Sequence, residues 1–313
     1  MDAGGIAEVV RLIDSCDVVC SETPEAVIFS YIMRKRGLPG KPFIVSEVDL
    51  LERAKKVAGW IEKAYGENPL EEFLRSETNF WIITTLSHRD RCLDAGIPAD
   101  NLFYIPSSVF QMRAFFPQTE GLFSNGAPGG GPVPVGILKS LHGKIICPGV
   151  NRRDFLTLAS AAELSGAEVF VITDLAKRKR IRSPFVHFLD MLPLEEYVAA
   201  IRNSKFVVVP LFNTPYSGGQ QTPVVAMYFG KVVVASRVDA TVDYIEDNVS
   251  GLLVEPENPP ALAKAIRRAD GSNELRGRIG AAAASREREI SELAERRYEK
   301  MFDLAYRTGR KTK

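Results

Sequence analysis

The sequence predicts an α/β fold in which parallel strands alternate with helices. Short runs rich in Val, Ile and Phe recur along the 313 residues, and segments with helical periodicity separate them. Glycines and prolines stand where predicted strands end and helices begin. Helical connections of this length join parallel strands through right-handed crossovers, so each half of the chain is expected to be Rossmann-like.

The order of elements predicts two domains. In the first half we predict strands at 17–20, 42–45, 80–84 and 102–105, with helices at 24–36, up to residue 74, and at 87–95. In the second half we predict strands at 144–147, 168–172, 186–189, 206–210, 231–235 and 251–254, with helices at 153–164, 194–203 and from 220–223 onward. Residues 118–136 are rich in Gly and Pro, which is typical of a linker. The expected domains are therefore 1–117 and 137–290, followed by a C-terminal helix at 291–313 for which packing on the first domain is one option.

Composition excludes several classes of protein. Hydrophobic residues make up 45% and charged residues 25%, and the net charge is +1, so no nucleic-acid partner is expected. The four cysteines, Cys16, Cys20, Cys92 and Cys147, lack Cys-x-x-Cys spacing. Three lie in or beside apolar runs, which predicts buried free thiols, a reducing compartment and no zinc. Without a membrane-length apolar run or a leader in residues 1–10, the expected location is cytoplasmic.

The C-terminal segment 276–313 is basic and has helical periodicity. Its apolar residues are Ile279, Ile290, Leu293, Tyr298, Met301, Phe302 and Leu304. Two interpretations stay open: peripheral contact with a membrane surface, or a stripe that packs on the protein.

Residues 205–254 are the most informative part of the chain. A buried strand runs into a turn with Gly218 and Gly219, which a helix and a second strand follow. In open parallel sheets such a turn faces the ligand crevice, and the helix behind it presents free N–H groups to an anion. No Gly-Lys-Ser/Thr ends the turn, so an ATPase-type loop is disfavoured. A phosphate-bearing ligand is the first hypothesis, and a tight turn without a ligand is the alternative.

The same segment resembles the donor-binding half of retaining GT-B nucleotide-sugar glycosyltransferases of the group 1 type. The matching residues are Ala226, Met227, Gly230, Lys231, Val233, Val234, Ala235, Ser236, Gly251, Leu252, Leu253, Val254, Glu255 and Pro256. Residues 87–106 and 115–117 resemble the same family independently. The family usually carries two glutamates where this chain has Ser217 and Val225, and it has an extra strand and helix ahead of residue 17.

The resemblance implies a GT-B fold, with two Rossmann-like domains whose parallel sheets face a cleft. It implies transfer of a sugar from a nucleoside diphosphate sugar to a hydroxyl acceptor, with retention and without a metal or a cofactor. The acceptor, whether sugar, lipid or small molecule, and the oligomeric state are not predicted. Because both departures suit a chain that has lost activity, the alternative is a non-catalytic GT-B subunit or sugar-nucleotide-binding protein. A GT-B epimerase acting on the same donors is a third option.

The resemblance also points to site residues. Arg152 and Arg153 are expected to contact the donor phosphates, where positive charge stabilises the leaving group. In the alternative, Asp154 caps the next helix and pairs with an arginine. Further donor-side candidates are Gly149, Ser217, Gly218, Gly219, Gln220, Gln221, Thr222 and His187. The polar residues at 220–222 can equally cap the helix that Pro223 begins.

The first domain offers candidates for the acceptor side. His88 and Glu47 are expected there, and Asp49 or Glu47 is expected to act as a base or to accept a hydrogen bond from a hydroxyl group. Asp49 can equally be the N-cap of a helix. The basic run at 177–182 is interpreted as a solvated loop, although the diphosphate lies within its expected reach.

Overall fold

The chain forms two compact units. A computed structural model describes residues 15–37, 40–46, 51–115, 120–123, 136–174, 181–214 and 218–311. One unit contains Met1–Pro106 and Glu295–Lys313, and the other contains Ser107–Ala294. Each unit has its own parallel sheet flanked by helices, which confirms the predicted α/β class.

The first unit is a parallel sheet with the strand order β1-β2-β3-β4. Its strands are β1 (Val19–Glu22), β2 (Phe43–Ser46), β3 (Phe80–Ile83) and β4 (Leu102–Tyr104). Its helices in chain order are α1 (Thr23–Lys35), α2 (Leu51–Tyr65), α3 (Leu70–Arg75) and α4 (His88–Asp94), and a 3₁₀ turn covers Ala99–Asn101.

Aromatic packing holds this first core together. All four residues of β3 are buried, and Trp81 at its centre has no exposed surface. The Phe73 ring lies 5.4 Å from Trp81 and 5.7 Å from Phe43, in edge-on contacts that aromatic pairs favour. Helix α3 is therefore fixed against the sheet by one phenylalanine.

The second unit is a parallel sheet with the strand order β10-β9-β8-β5-β6-β7. Its strands are β5 (Ile145–Pro148), β6 (Val169–Ile172), β7 (Val186–Leu189), β8 (Phe206–Val209), β9 (Val233–Ser236) and β10 (Leu252–Val254). The helices are α5 (Val109–Phe115), α6 (Glu120–Phe123), α7 (Ile137–Leu141), α8 (Phe155–Ser165), α9 (Leu194–Asn203), α10 (Gln221–Tyr228), α11 (Asp239–Val242) and α12 (Pro259–Gly271). The last helix, α13 (Asn273–Lys311), begins in this unit, and its residues from Glu295 onward belong to the first unit. From β5 the chain adds strands on one side through β7, and then crosses to β8 and adds strands on the other. Open α/β sheets bind ligands at such a reversal, outside the carboxyl ends of the strands.

The described residues of the predicted linker include α6. Phe123 of this helix is 2% exposed, and its ring packs edge-on against Tyr228 at 5.3 Å and stacks on Phe229 at 5.9 Å. This part of residues 118–136 therefore belongs to the core of the second unit, while 124–135 lie outside the described residues.

The prediction of three buried cysteines is wrong, because only two of the four are buried. Cys92 and Cys147 are buried free thiols, whereas Cys16 and Cys20 are free but exposed. Cys20 lies on β1, and β1 is the edge strand of its sheet, so an apolar neighbourhood in the sequence does not bury it.

Helix α13 buries most of its apolar stripe. Ile279, Ile290, Tyr298 and Met301 are each less than 9% exposed, while Leu304 remains 37% exposed. Burial of these side chains favours the interpretation that the stripe packs on protein. None of the described helices combines the length and the apolar content that crossing a bilayer requires.

Candidate functional site

Two loops meet at the carboxyl ends of β5 and β8, where the strand order reverses. The first loop, residues 149–154, leads from β5 into α8, and the second, residues 210–220, leads from β8 into α10; its residues 215–217 lie outside the described part. Backbone hydrogen bonds join Asp154 N to Pro210 O at 2.9 Å and Phe212 N to Arg152 O at 3.1 Å. The loops therefore form one rigid rim at the switch point.

Arg153 is buried between these loops and is only 6% exposed. Its Nε and Nη2 donate to Pro148 O at 3.2 and 3.0 Å, Nη1 donates to Asn151 O at 3.2 Å, and Nη2 also donates to Thr222 Oγ1 at 2.9 Å. A guanidinium has five N–H donors, so one on Nη1 has no acceptor among the described residues. These hydrogen bonds fix the Arg153 side chain and leave one N–H group of Nη1 without an acceptor among the described residues.

Two glycines make room for this guanidinium. Gly149 has φ +118°, and a Cβ there would lie 2.5 Å from Arg153 Nη2. Gly219 has φ +100°, and a Cβ there would lie 2.8 Å from Nη1 and 3.1 Å from a methyl group of Leu211. Positive φ and this close approach both require glycine. The glycines therefore leave room for the Arg153 side chain as well as turning the chain.

The charge of Arg153 has no counterion in the described part of the chain, where no carboxylate pairs with it. Burial raises the pKa of the nearby Cys147 thiol to about 12 and also raises the pKa of the Tyr197 hydroxyl, so both neighbours are neutral at pH 7. Burial lowers the pKa of Arg153 itself, because a charged group loses its hydration there. A buried cation beside the positive end of α10 is a place where an anion gains stability.

Arg152 lies beside the other glycine of this turn, Gly218. The residue has φ +57°, and its Nη1 donates to Thr214 Oγ1 at 2.9 Å. A Cβ on Gly218 would lie 3.2 Å from Arg152 Nε. The two predicted arginines therefore flank the Gly218 and Gly219 turn, Arg153 from within the protein and Arg152 in a partly exposed position.

The polar residues at the start of α10 differ in their surroundings. Thr222 is buried, and its hydroxyl contacts both Arg153 and the Tyr197 hydroxyl, the latter at 2.8 Å. Gln220 is 7% exposed and makes no side-chain cap on α10, so the capping interpretation does not apply to it. Gln221 is exposed, and Ser217 lies outside the described residues.

Asp154 has the local role that the alternative interpretation gave it. Its Oδ1 accepts a hydrogen bond from Thr157 N at 2.9 Å and caps α8. In the described structure no ion pair joins Asp154 to either arginine. The capping part of that alternative is confirmed, and Arg153 keeps its unneutralised charge.

His187 is not brought to these loops. It is the second residue of β7, with its ring 4.8 Å from that of Phe170 and Nε2 3.5 Å from Glu168 Oε1. The β-sheet register places His187 level with Ile146, three residues before Gly149, or about 10 Å along the strand direction. The predicted contact with the donor therefore has no support from this placement.

The acceptor-side candidates remain predictions. His88 begins α4, with residues 84–87 between it and the carboxyl end of β3, and it is 4% exposed. Glu47 and Asp49 lie outside the described residues.

Sequence reasoning missed two residues near the loops. Thr173 follows β6 directly, is fully buried, and its hydroxyl has no hydrogen-bond partner among the residues described. The backbone carbonyl oxygen of the preceding residue, Ile172, accepts a hydrogen bond from Gly149 N at 2.9 Å, so Thr173 lies beside the first loop. The rule that polar residues after strands face the crevice could have found it. Tyr197 had no such signal, because its contact with Thr222 depends on how α9 packs.

Comparisons with known proteins agree on the second unit and on the fold. Residues 154–269 match the family model of Glycosyl transferases group 1. The D-inositol 3-phosphate glycosyltransferase of Corynebacterium glutamicum (strain R) is 33% identical over 118 residues, which are 38% of this chain and 26% of the relative. The chain thus aligns with about a quarter of that curated relative.

Two solved structures align over nearly the whole chain. A glycosyltransferase from Rickettsia africae ESF-5 has a TM-score of 0.64 at 15% identity, covering 97% of this chain and 82% of its own. Anabaena Alr3699/HepE in complex with UDP has a TM-score of 0.64 at 15% identity, covering 95% and 82%. At such low identity these likenesses concern the fold.

Proposed function

We propose that this chain, a GT-B protein with a glycosyl transferases group 1 domain in its second unit, transfers a sugar from a nucleoside diphosphate sugar to a hydroxyl acceptor. The observation that carries the proposal is the buried guanidinium of Arg153, which has no counterion among the described residues and lies under Gly149 and Gly219. A diphosphate fits this position because it brings negative charge and many acceptor oxygens. Anabaena Alr3699/HepE, a structural neighbour, was solved with UDP-glucose, and we propose the same class of donor here.

The proposed reaction breaks the bond between the anomeric carbon and the diphosphate oxygen. The acceptor oxygen forms the new bond while its proton passes to a base, the role predicted for Asp49. Negative charge then grows on the departing diphosphate. Arg152, Arg153 and the free N–H groups at the start of α10 stabilise that charge, because they are held in place before the reaction begins. We propose that these groups supply the positive charge that a metal ion supplies elsewhere, and that the sugar is transferred with retention.

Recognition of the nucleoside must differ from the family pattern. Val225, which stands where relatives carry the second glutamate, is 1% exposed and packs in the core of the second unit. A buried valine cannot accept a hydrogen bond from a ribose hydroxyl. The exposed Gln221 and the buried hydroxyl of Thr173 are our candidates for contacts with the donor.

The location and acceptor remain proposals too. We expect the protein in the cytoplasm, since its four cysteines are free and this is usual in a reducing compartment. The acceptor is a sugar, lipid or small molecule with a free hydroxyl.

The test is turnover of a panel of UDP, GDP and ADP sugars, with and without EDTA. We expect one nucleotide class to be hydrolysed or transferred in EDTA, with retained anomeric configuration in the product by proton NMR. Arg153→Ala should lower kcat/KM by about a hundredfold or more. Lys264→Ala removes an exposed cation from the same unit and should match the wild type. Tight binding of a nucleotide sugar without turnover of any donor would identify a binding protein instead.

A further inference from the structure

A cavity of about 240 Å³ lies within the first unit, away from the loops that carry the proposed chemistry. It is bounded by the second half of α1, by α3 and by the residues that precede β2 and β3. Its lining includes Tyr31, Arg34, Lys41, Phe43, Phe73 and Asn79. These segments meet the amino ends of β2 and β3, whereas α/β sheets bind substrates at the carboxyl ends. The cavity is therefore a separate place in the fold.

Lys41 is the most unusual residue of this cavity. It is 6% exposed, and no hydrogen bond or ion pair connects it to any residue in the described ranges. Its aliphatic stem is buried, whereas its ammonium nitrogen keeps contact with solvent. Because no described residue pairs with it, this ammonium is available to an anion that enters the cavity.

The other charges near the cavity are already paired. Arg34 forms ion pairs with Glu72 and, at 3.0 Å, with Glu67, and Lys35 also contacts Glu67. These exposed pairs lie at the rim and balance each other. The ammonium of Lys41 is therefore the one positive charge in the described lining without compensation.

A second donor in the cavity also lacks an acceptor. Tyr31 is 6% exposed, and its hydroxyl has no hydrogen-bond partner among the residues that the structure describes. By contrast, both polar atoms of the Asn79 side chain have partners: Oδ1 accepts from Phe43 N at 3.3 Å, and Nδ2 donates to Phe73 O at 3.0 Å. Hydrogen bonds therefore fix one side of the cavity. Two donor groups that line it, the Lys41 ammonium and the Tyr31 hydroxyl, have no acceptor among the described residues.

We propose that this cavity is a second binding site, which takes a small anion with one phosphate or carboxylate group. Lys41 supplies the charge, Tyr31 supplies a hydroxyl donor, and the rings of Phe43 and Phe73 give the cavity apolar surface. Its volume of about 240 Å³ lies below the range of roughly 300–1,000 Å³ of typical small-molecule pockets, which suits a compact anion such as a phosphorylated three-carbon compound.

Binding is measured by calorimetry and thermal unfolding with four probes: inorganic phosphate, glycerol 3-phosphate, malonate and uncharged glycerol. Sodium chloride keeps the ionic strength equal. The wild type should bind a charged probe and not glycerol, and the preferred probe separates phosphate from carboxylate. Lys41→Met should weaken binding by about tenfold or more, because a charged hydrogen bond is lost. Lys63→Met removes an exposed lysine from the same unit and should leave binding unchanged.

Tyr31→Phe keeps the shape of the cavity and should weaken binding about threefold or more. Failure of every charged probe to bind the wild type overturns the proposal, as does equal binding by the wild type and the Lys41→Met or Tyr31→Phe variant. None of these outcomes depends on sugar transfer.

Discussion

Replacing Gly219 by alanine places a methyl group where the structure leaves space for Arg153. The new Cβ would lie 2.8 Å from Nη1 and 3.1 Å from Leu211, which is itself 1% exposed and cannot withdraw. Carbon and nitrogen atoms pack at about 3.5 Å, so the guanidinium must retreat by roughly 0.7 Å. The backbone also resists, since φ +100° costs a residue with a side chain about 1–3 kcal/mol.

The retreat has a definite consequence for the proposed phosphate site. It moves Nη1, whose remaining N–H has no acceptor among the described residues, and it covers the side from which an anion would approach. Losing one hydrogen bond to a charged partner costs about 1.5–3 kcal/mol. The Kd of the preferred nucleoside diphosphate should therefore rise by about 10- to 150-fold.

Gly166→Ala is the matched control. Gly166 has φ +71° at the end of α8 in the same unit, and no atom lies within 4 Å of its Cβ position. This variant should lose about 1 kcal/mol of stability and bind the nucleotide as the wild type does. Urea unfolding and calorimetry measure both quantities. If Gly219→Ala also keeps the wild-type Kd, the contact between this glycine and Arg153 is not part of a phosphate site.

Three further predictions follow from buried groups and close contacts. Burial raises the pKa of Glu287 above its ordinary value near 4.5, so the wild type should lose stability relative to Glu287→Gln as the pH rises from that value. Urea melts at pH 4 and pH 8 test this, and a constant difference would contradict it. On α13, Gly277→Ala should stabilise by about 1 kcal/mol because its Cβ meets open space, whereas Gly280→Ala should destabilise because its Cβ would overlap the carbonyl oxygen of Gly230. Equal thermal shifts for the two variants would refute the contact. Cys147 has no exposed surface and a pKa of about 12, so at pH 8 a thiol reagent should modify the two exposed cysteines and leave it intact by mass spectrometry.

Local sequence patterns correctly predicted elements in which buried residues recur at regular spacing. The run Phe206–Val209 is wholly buried as β8, and the predicted helix at 194–203 has the observed limits of α9. The predicted limits of an element differ from the observed ones where no side chain signals its start or end. Strand β1, for example, begins two residues later than predicted. Helix α6 was hidden within a Gly- and Pro-rich stretch, because only contact with other helices makes Phe123 a core residue.

Site residues were predictable to the extent that a short segment contains them. Gly149, Arg152 and Arg153 follow one strand and the Gly218 and Gly219 turn follows another, so the rule for parallel sheets brings them to one edge. His187 escaped this rule, because its position along β7 depends on the strand register. The sequence also favoured both arginines equally, and their different burial depends on contacts between the loops.

Sequence alone determined the alternation of strands and helices, the glycines that allow positive φ, and the identity of the cationic residues after β5, because these follow from interactions between near neighbours along the chain. Only the tertiary structure decided that Arg153 is buried without a counterion among the described residues, and that Lys41 and Tyr31 share a cavity in the first unit. The physical reason is that burial and charge compensation depend on side chains tens of residues apart in sequence. Their free energies arise from exclusion of water by the whole fold, which no local pattern contains.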